Sequence, residues 1–256
     1  MFRSATVTMI VIAATALPTT SSAAPKRTIQ QLTSIFENST LDLQYTFVAN
    51  IGDQRGWTFG FSGFTSGTYS GTFFLEEYRR HRRKNALNRF LPAFRRIDAG
   101  PHDSEGRNPD TSGLEEFPDV FQTLGADPKF RRAQRVLVNR LAWRPALRLA
   151  RRLGVRRNIT IGQLYDAYIN HGEDGINQLL RRTNRRAGGP PTDGVNEVAW
   201  LKVFLRTRFR VLNADPVWSL ATDRIRVYER LLKAGNVHLR PPMQIHCYGN
   251  SFEIDR

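Results

Sequence analysis

The sequence predicts a mainly α-helical protein with one small antiparallel sheet in its N-terminal third. Three observations predict it. Long stretches, above all 128–153, 161–171, 174–186 and 195–212, carry apolar residues at helical spacing. Residues 52–71 instead alternate glycines with Trp57, Phe59, Phe61 and Phe64, a composition of short strands and tight turns. No internal repeat or low-complexity tract interrupts the pattern.

The elements follow in chain order. Arg3, the apolar run from Val7 to Leu17 and the small residues Ser21-Ser22-Ala23 form the three-part layout of a secretory signal peptide. That run is about 11 residues, whereas a spanning helix needs about 20. Residues 1–23 are therefore expected to be a cleaved leader, and residues 24–256 a secreted domain with no membrane insertion. Thr28 and Gln31 make a T-x-x-Q capping box that predicts a helix start. Ile29, Leu32, Ile35 and Phe36 fall on one face of that helix, which should end near Asn38 with Glu37 in its last turn. A short helical piece is expected over 43–49, then the glycine-rich sheet. Helices follow over 72–84 and 89–97, and an exposed loop over 99–114, where Gly, Pro, Asp and Ser concentrate. Beyond the longer helices, Gly188-Gly189-Pro190-Pro191 is a break. A last helix over 222–233 meets Gly235 where glycine suits a helix stop. The tail after Pro241-Pro242 should be extended.

Composition bounds the partners. The chain is 40% hydrophobic and 24% charged, an ordinary globular balance, with a net charge of +15. Without Arg3, 37 basic side chains face 23 acidic ones. Residues 129–157 hold eleven Lys and Arg and no Asp or Glu. Such a segment is either a solvated basic face or an attractor of polyanions. No nucleic-acid-binding motif is recognisable, and secretion argues against an intracellular nucleic-acid role. Cys247 is the one cysteine, so no intramolecular disulfide can form, and a buried, inert thiol is expected. The five histidines show no metal-ligand spacing, and no cofactor is implied. His171 reads as a packed helix residue.

Two carboxyl groups have contrasting settings. Glycoside hydrolysis needs one that keeps a proton for the leaving oxygen and one ionised to activate water. Glu37 lies at a helix C-terminus, where the dipole disfavours negative charge, which suits the acid. Asp53 lies in the turn Gly52-Asp53-Gln54-Arg55-Gly56, where free N–H groups and a guanidinium favour the ionised form. By themselves the two are equally compatible with a solvated helix end and a turn former.

The motifs around them decide further. Glu37-Asn38-Ser39-Thr40-Leu41-Asp42, Ile51-Gly52-Asp53-Gln54-Arg55-Gly56-Trp57-Thr58 and Gly63-Phe64-Thr65-Ser66-Gly67-Thr68 resemble, in order, the E-N-S-x-L-D, I-G-D-x-R-G-x-T and G-F-x-S-G-T motifs of glycoside hydrolase family 46 chitosanases. Tyr165-Asp166-Ala167 with His171-Gly172, Phe204 to Arg208, Lys233 to Asn236, Pro241-Pro242 and Tyr248-Gly249 extend the resemblance along nearly the whole chain. It implies a lysozyme-like α+β fold of two helical lobes, a small antiparallel sheet and a cleft between the lobes. It also implies an endo-acting, inverting enzyme on β-1,4-linked glucosamine, expected to act as a monomer. Glu37 then matches the acid, Asp53 the base, and Thr58 a threonine that holds the attacking water. Arg208 and Arg224 with Asp166 match a charged network behind the acid, and Arg55 a residue that orients Asp53. Asp215 matches a substrate-facing acid. Ala49 and Ser70, in contrast, stand where the family pattern has carboxylates that grip substrate amino groups. With those positions changed and the chain strongly basic, a neutral or anionic cell-wall polysaccharide is the alternative substrate.

Overall fold

The structure, a computed structural model, describes residues 23–216 and 218–255. The expected leader, Ala23 apart, lies outside them. Helix α1 spans Ala23–Asn38. It begins before the expected capping box, so Thr28 is a buried interior residue and not a cap. The apolar stripe is as expected: Ile29, Leu32, Ile35 and Phe36 are all buried. Ser39, at φ 50°, breaks the helix and leaves Glu37 in its last turn.

The helix expected over 43–49 does not form. Its backbone is claimed by more distant partners. The Gln134 side chain donates to the Tyr45 carbonyl at 2.8 Å, and Val48 pairs with Phe59 across a sheet. That sheet is β1 (Val48–Asn50), β2 (Trp57–Phe59) and β3 (Phe64–Thr65), antiparallel throughout. Its register sets Ala49 opposite Thr58 and Thr58 opposite Thr65. Directly opposed residues share a face, so these three side chains form one row. Gly67 is required next to the sheet, because a Cβ there would stand 1.9 Å from the Asn108 carbonyl oxygen. The close approach pins the 99–114 loop against the sheet, with the Asn108 N–H bonded to the Gly67 carbonyl at 3.0 Å.

The first lobe packs α2 (Ser70–His81), α3 (Leu91–Ala99), α4 (Phe117–Thr123) and α5 (Pro128–Val138) around aromatic rings. The Phe59 ring lies between 4.9 and 5.9 Å from the rings of Phe74, Phe94, Phe117 and Phe121. Strand β2 thus anchors one wall of the cleft in this lobe's core. Asp127 caps α5 by accepting from the Lys129 N–H at 2.8 Å. The chain then continues through one π-helical turn, Asn139–Trp143, into α6 (Arg144–Leu153), as the long periodic stretch predicts. Pro145 cannot donate to the carbonyl four residues back, and the wider π turn accommodates the missing bond.

The second lobe is built on α7 (Asn158–Ala187), α8 (Glu197–Asn213) and α9 (Asp223–Lys233), which pack with α1. Helix α7 joins both predicted helices, 161–171 and 174–186, across a break at Gly172 with φ 66° and ψ −174°. Gly235 sits in the left-handed region just past α9. The tail is a hairpin, β4 (Met243–Cys247) and β5 (Asn250–Ile254). Cys247 is buried, and burial pushes its thiol up to about 12, consistent with an inert thiol. No described helix is long and apolar enough to cross a membrane.

Candidate active site

Asp53 sits at the tip of the β1–β2 turn between two positive-φ residues, Gly52 and Gln54. Its carboxylate accepts the Arg55 N–H at 3.2 Å and the Arg55 Nε at 2.7 Å, and also ion-pairs with Arg55 Nη2. The turn and the arginine together fix one rotamer of an ionised side chain. Thr58 lies five residues on, in β2. It is buried, and its Oγ1 has no hydrogen-bond partner among the described residues.

Glu37 is held from the other lobe. Arg224 Nη1, from the first turn of α9, donates to Glu37 Oε1 at 2.9 Å and to Asp166 Oδ1 at 3.2 Å. Arg208, from α8, bonds the other Asp166 oxygen. It also donates to Gln163 Oε1, Asn170 Oδ1 and His171 Nε2, each at 3.1 Å. Exposure falls along this chain, from 27% for the Glu37 side chain to 5% for Arg224 and 0% for Asp166 and Arg208. Two carboxylates and two guanidiniums balance, which is what permits burial of charges that would be costly alone. Burial opposes charge on Arg224, but Asp166 and Glu37 outweigh it and raise its pKa. On Arg208 burial prevails and lowers it, with Asp166 acting the other way. His171 is pushed down to about 2 by burial and by the two arginines, so its ring is neutral and accepts the Arg208 hydrogen bond. The sequence expectation of a packed histidine holds.

A cleft of about 730 Å³ runs between the lobes. Asp53, Arg55, Thr65, Ser70 and Asp215 line it, together with His171 and Trp218. Ala49, Glu37 and Thr58 are not among its lining residues, although Ala49 and Thr58 share a sheet face with Thr65, which is. The Ser70 hydroxyl accepts the Thr65 N–H at 2.9 Å. Sequence reading did not single out Glu105, Arg107, Glu173 or Trp218, which also line the cleft. Glu105 and Arg107 come from the loop pinned by Gly67, and Glu173 follows the Gly172 break. The only local signals were a polar loop and a glycine inside a helical pattern. Among the described residues no group of His, Cys, Asp and Glu could hold a metal ion.

Comparison with known proteins places this geometry. Residues 31–243 match the family described as Glycosyl hydrolase family 46. The chain belongs to this family. It is 34% identical over 237 residues to a chitosanase of Bacillus subtilis (strain 168), covering 88% of this chain and 83% of that protein. Among solved structures it resembles the native chitosanase of Bacillus subtilis MY002 with a TM-score of 0.85 and 32% identity, covering 91% of this chain and 99% of the other. It also resembles the family 46 chitosanase of Gynuella sunshinyii in complex with chitotetraose, with a TM-score of 0.86 and 34% identity over 93% and 100% of the two chains. The mainly helical, two-lobed fold expected from the sequence is the fold of these family 46 structures.

Proposed function

We propose that this chain is a secreted, endo-acting chitosanase that cleaves β-1,4 linkages between glucosamine units with inversion. The observation that carries the reading is the arrangement of two carboxylates with different partners in a family 46 chain. Glu37 is 27% exposed and backed by the buried Arg224–Asp166–Arg208 network, while Asp53 is clamped by Arg55 in the cleft. Relatives named chitosanases, one of them in complex with chitotetraose, supply the substrate class. In this mechanism Glu37 gives its proton to the glycosidic oxygen as the C1–O bond breaks. Asp53 takes a proton from a water that attacks C1 from the opposite face, and the Thr58 hydroxyl holds that water. The proton passed to Asp53 returns through solvent to Glu37. Asp215 faces a substrate amine, and no metal or cofactor takes part.

Glu37→Gln removes the proton donor and Asp53→Asn removes the base. Each should cut turnover of chitosan roughly 10²–10⁴-fold with the fold intact. Proton NMR of early wild-type turnover should show the inverted anomer first, because water attacks in a single displacement. A retained anomer, or near-normal turnover by Glu37→Gln, would refute the assignment. N-terminal sequencing of protein recovered from culture medium tests secretion, with Ala24 as the expected first residue.

A further inference from the structure

The long basic segment lends Val138, Leu141 and Ala142 to the cleft, but none of its Lys or Arg side chains lines it. Ten of the eleven Lys and Arg in 129–157 make no ion pair among the described residues; only Arg140 does, with Glu77 at 3.4 Å. Four arginines of the first lobe behave differently. Arg82, Arg89, Arg95 and Arg96 each meet a carboxylate, those of Asp127, Glu116, Glu76 and Asp110. On α6, Arg144, Arg148, Arg151 and Arg152 are all exposed. Their spacing of four, seven and eight residues puts them on one face of the helix. The opposite face, Ala146, Leu149, Ala150 and Leu153, is buried. Exposed Lys129, Arg131, Arg132 and Arg135 carry the same charge along α5. The ten residues of α6 span roughly 15 Å at 1.5 Å per residue.

We propose that the exposed arginine face of α6 is a docking surface for an extended acidic polysaccharide bearing carboxylate or sulfate groups. The basic groups are almost all arginine, whose planar fork pairs two-to-two with such oxyanions. Four arginines spread over nearly three turns fit a polymer with repeating charge better than a small anion. The face lacks the aromatic platforms on which single-stranded nucleic acid stacks, because α6 carries no aromatic residue and Trp143 just before it is buried. It also lacks the broad apolar side of a membrane-surface helix, because Leu141 is its one exposed large hydrophobic residue. The partner is thus opposite in charge to chitosan. The inference stands whether or not chitosan is the substrate.

The test compares two variants of equal charge on immobilised heparin and on polygalacturonate. One variant carries Gln at Arg144, Arg148, Arg151 and Arg152; the other carries Gln at the carboxylate-paired Arg82, Arg89, Arg95 and Arg96. Circular dichroism checks that both fold. The α6 variant should elute at markedly lower salt than wild type on both polymers, while the control shifts little. Equal losses in the two variants would mean that retention follows net charge alone and would overturn the proposal. So would wild-type binding to duplex DNA at matched ionic strength that is tighter than binding to either polysaccharide.

Discussion

Single residues decide how the cleft meets a cationic sugar. Ser70 lines the cleft at the N-terminus of α2, and its hydroxyl spends one bond on the Thr65 N–H. Ser70→Asp can keep that bond with one oxygen and offer the other to substrate. A negative charge at a helix N-terminus is also favourable for stability. A charged hydrogen bond is worth roughly 1.5–3 kcal/mol, so kcat/KM on fully deacetylated chitosan should rise about 10- to 150-fold. The gain should vanish at a pH where the sugar amines are neutral; no gain at any pH would show that Ser70 does not meet an amine. His171 makes a second, separate prediction about stability. Its folded pKa, about 2, lies below the ordinary value of 6.5, so between those limits the unfolded chain binds one more proton than the folded one. Stability contributed by the neutral ring is therefore complete above pH 6.5 and is lost as pH falls below it, by up to about 1.4 kcal/mol per pH unit. His171→Gln retains an acceptor for Arg208 but cannot titrate. Urea unfolding at pH 7, 6 and 5 should show a shallower loss in the variant than in wild type, and parallel slopes would contradict the assignment.

Elements show what the sequence makes legible and what it does not. Helices with a continuous apolar stripe, such as α1, α8 and α9, are readable because their burial repeats every turn. The three-stranded sheet is readable because glycines and aromatics alternate over 52–71. The 43–49 segment misleads because its fate depends on Gln134 and Phe59, far away in sequence, and local propensity cannot see them. Helix α4 was not anticipated because it is only seven residues long. The site divides likewise. The family resemblance pointed to Glu37, Asp53, Arg208 and Arg224, while Glu105 and Glu173 reach the cleft only through loop packing and a helix break. That break can be tested. Gly172 has no atom within 4 Å of a notional Cβ, so Gly172→Ala meets no side-chain clash. Its φ of 66° with ψ −174° is nonetheless a region that only glycine enters easily, costing another residue about 1–3 kcal/mol. Gly172→Ala should lower Tm by several degrees and reduce kcat/KM, because His171 and Glu173 flank the break and line the cleft. An unchanged Tm would mean that the backbone there relaxes freely.

At the scale of the whole molecule, charge sets two opposing forces on a polycationic substrate. The chain carries +15, so at long range it repels chitosan oligomers. Inside the cleft, the four carboxylates of Asp53, Glu105, Glu173 and Asp215 outnumber the guanidiniums of Arg55 and Arg107 and attract these oligomers at short range. Salt separates the two by distance. The screening length is about 30 Å at 0.01 M and about 8 Å at 0.15 M, so added salt first removes the repulsion from distant arginines. Contacts of 3–4 Å lie well inside even the shorter screening length and are screened much less. Association with a short glucosamine oligomer should therefore speed up between those two salt concentrations, raising kcat/KM on the order of a few-fold, before contact screening lowers it at higher salt. Stopped-flow or initial-rate measurements at low substrate, from 0.01 to 1 M salt, should trace a maximum. The α6 arginine-to-glutamine variant should begin from a higher low-salt rate and show a smaller rise, since it has shed part of the repelling charge. A monotonic fall with salt in wild type would mean that the cleft carboxylates already dominate the field a substrate feels on approach.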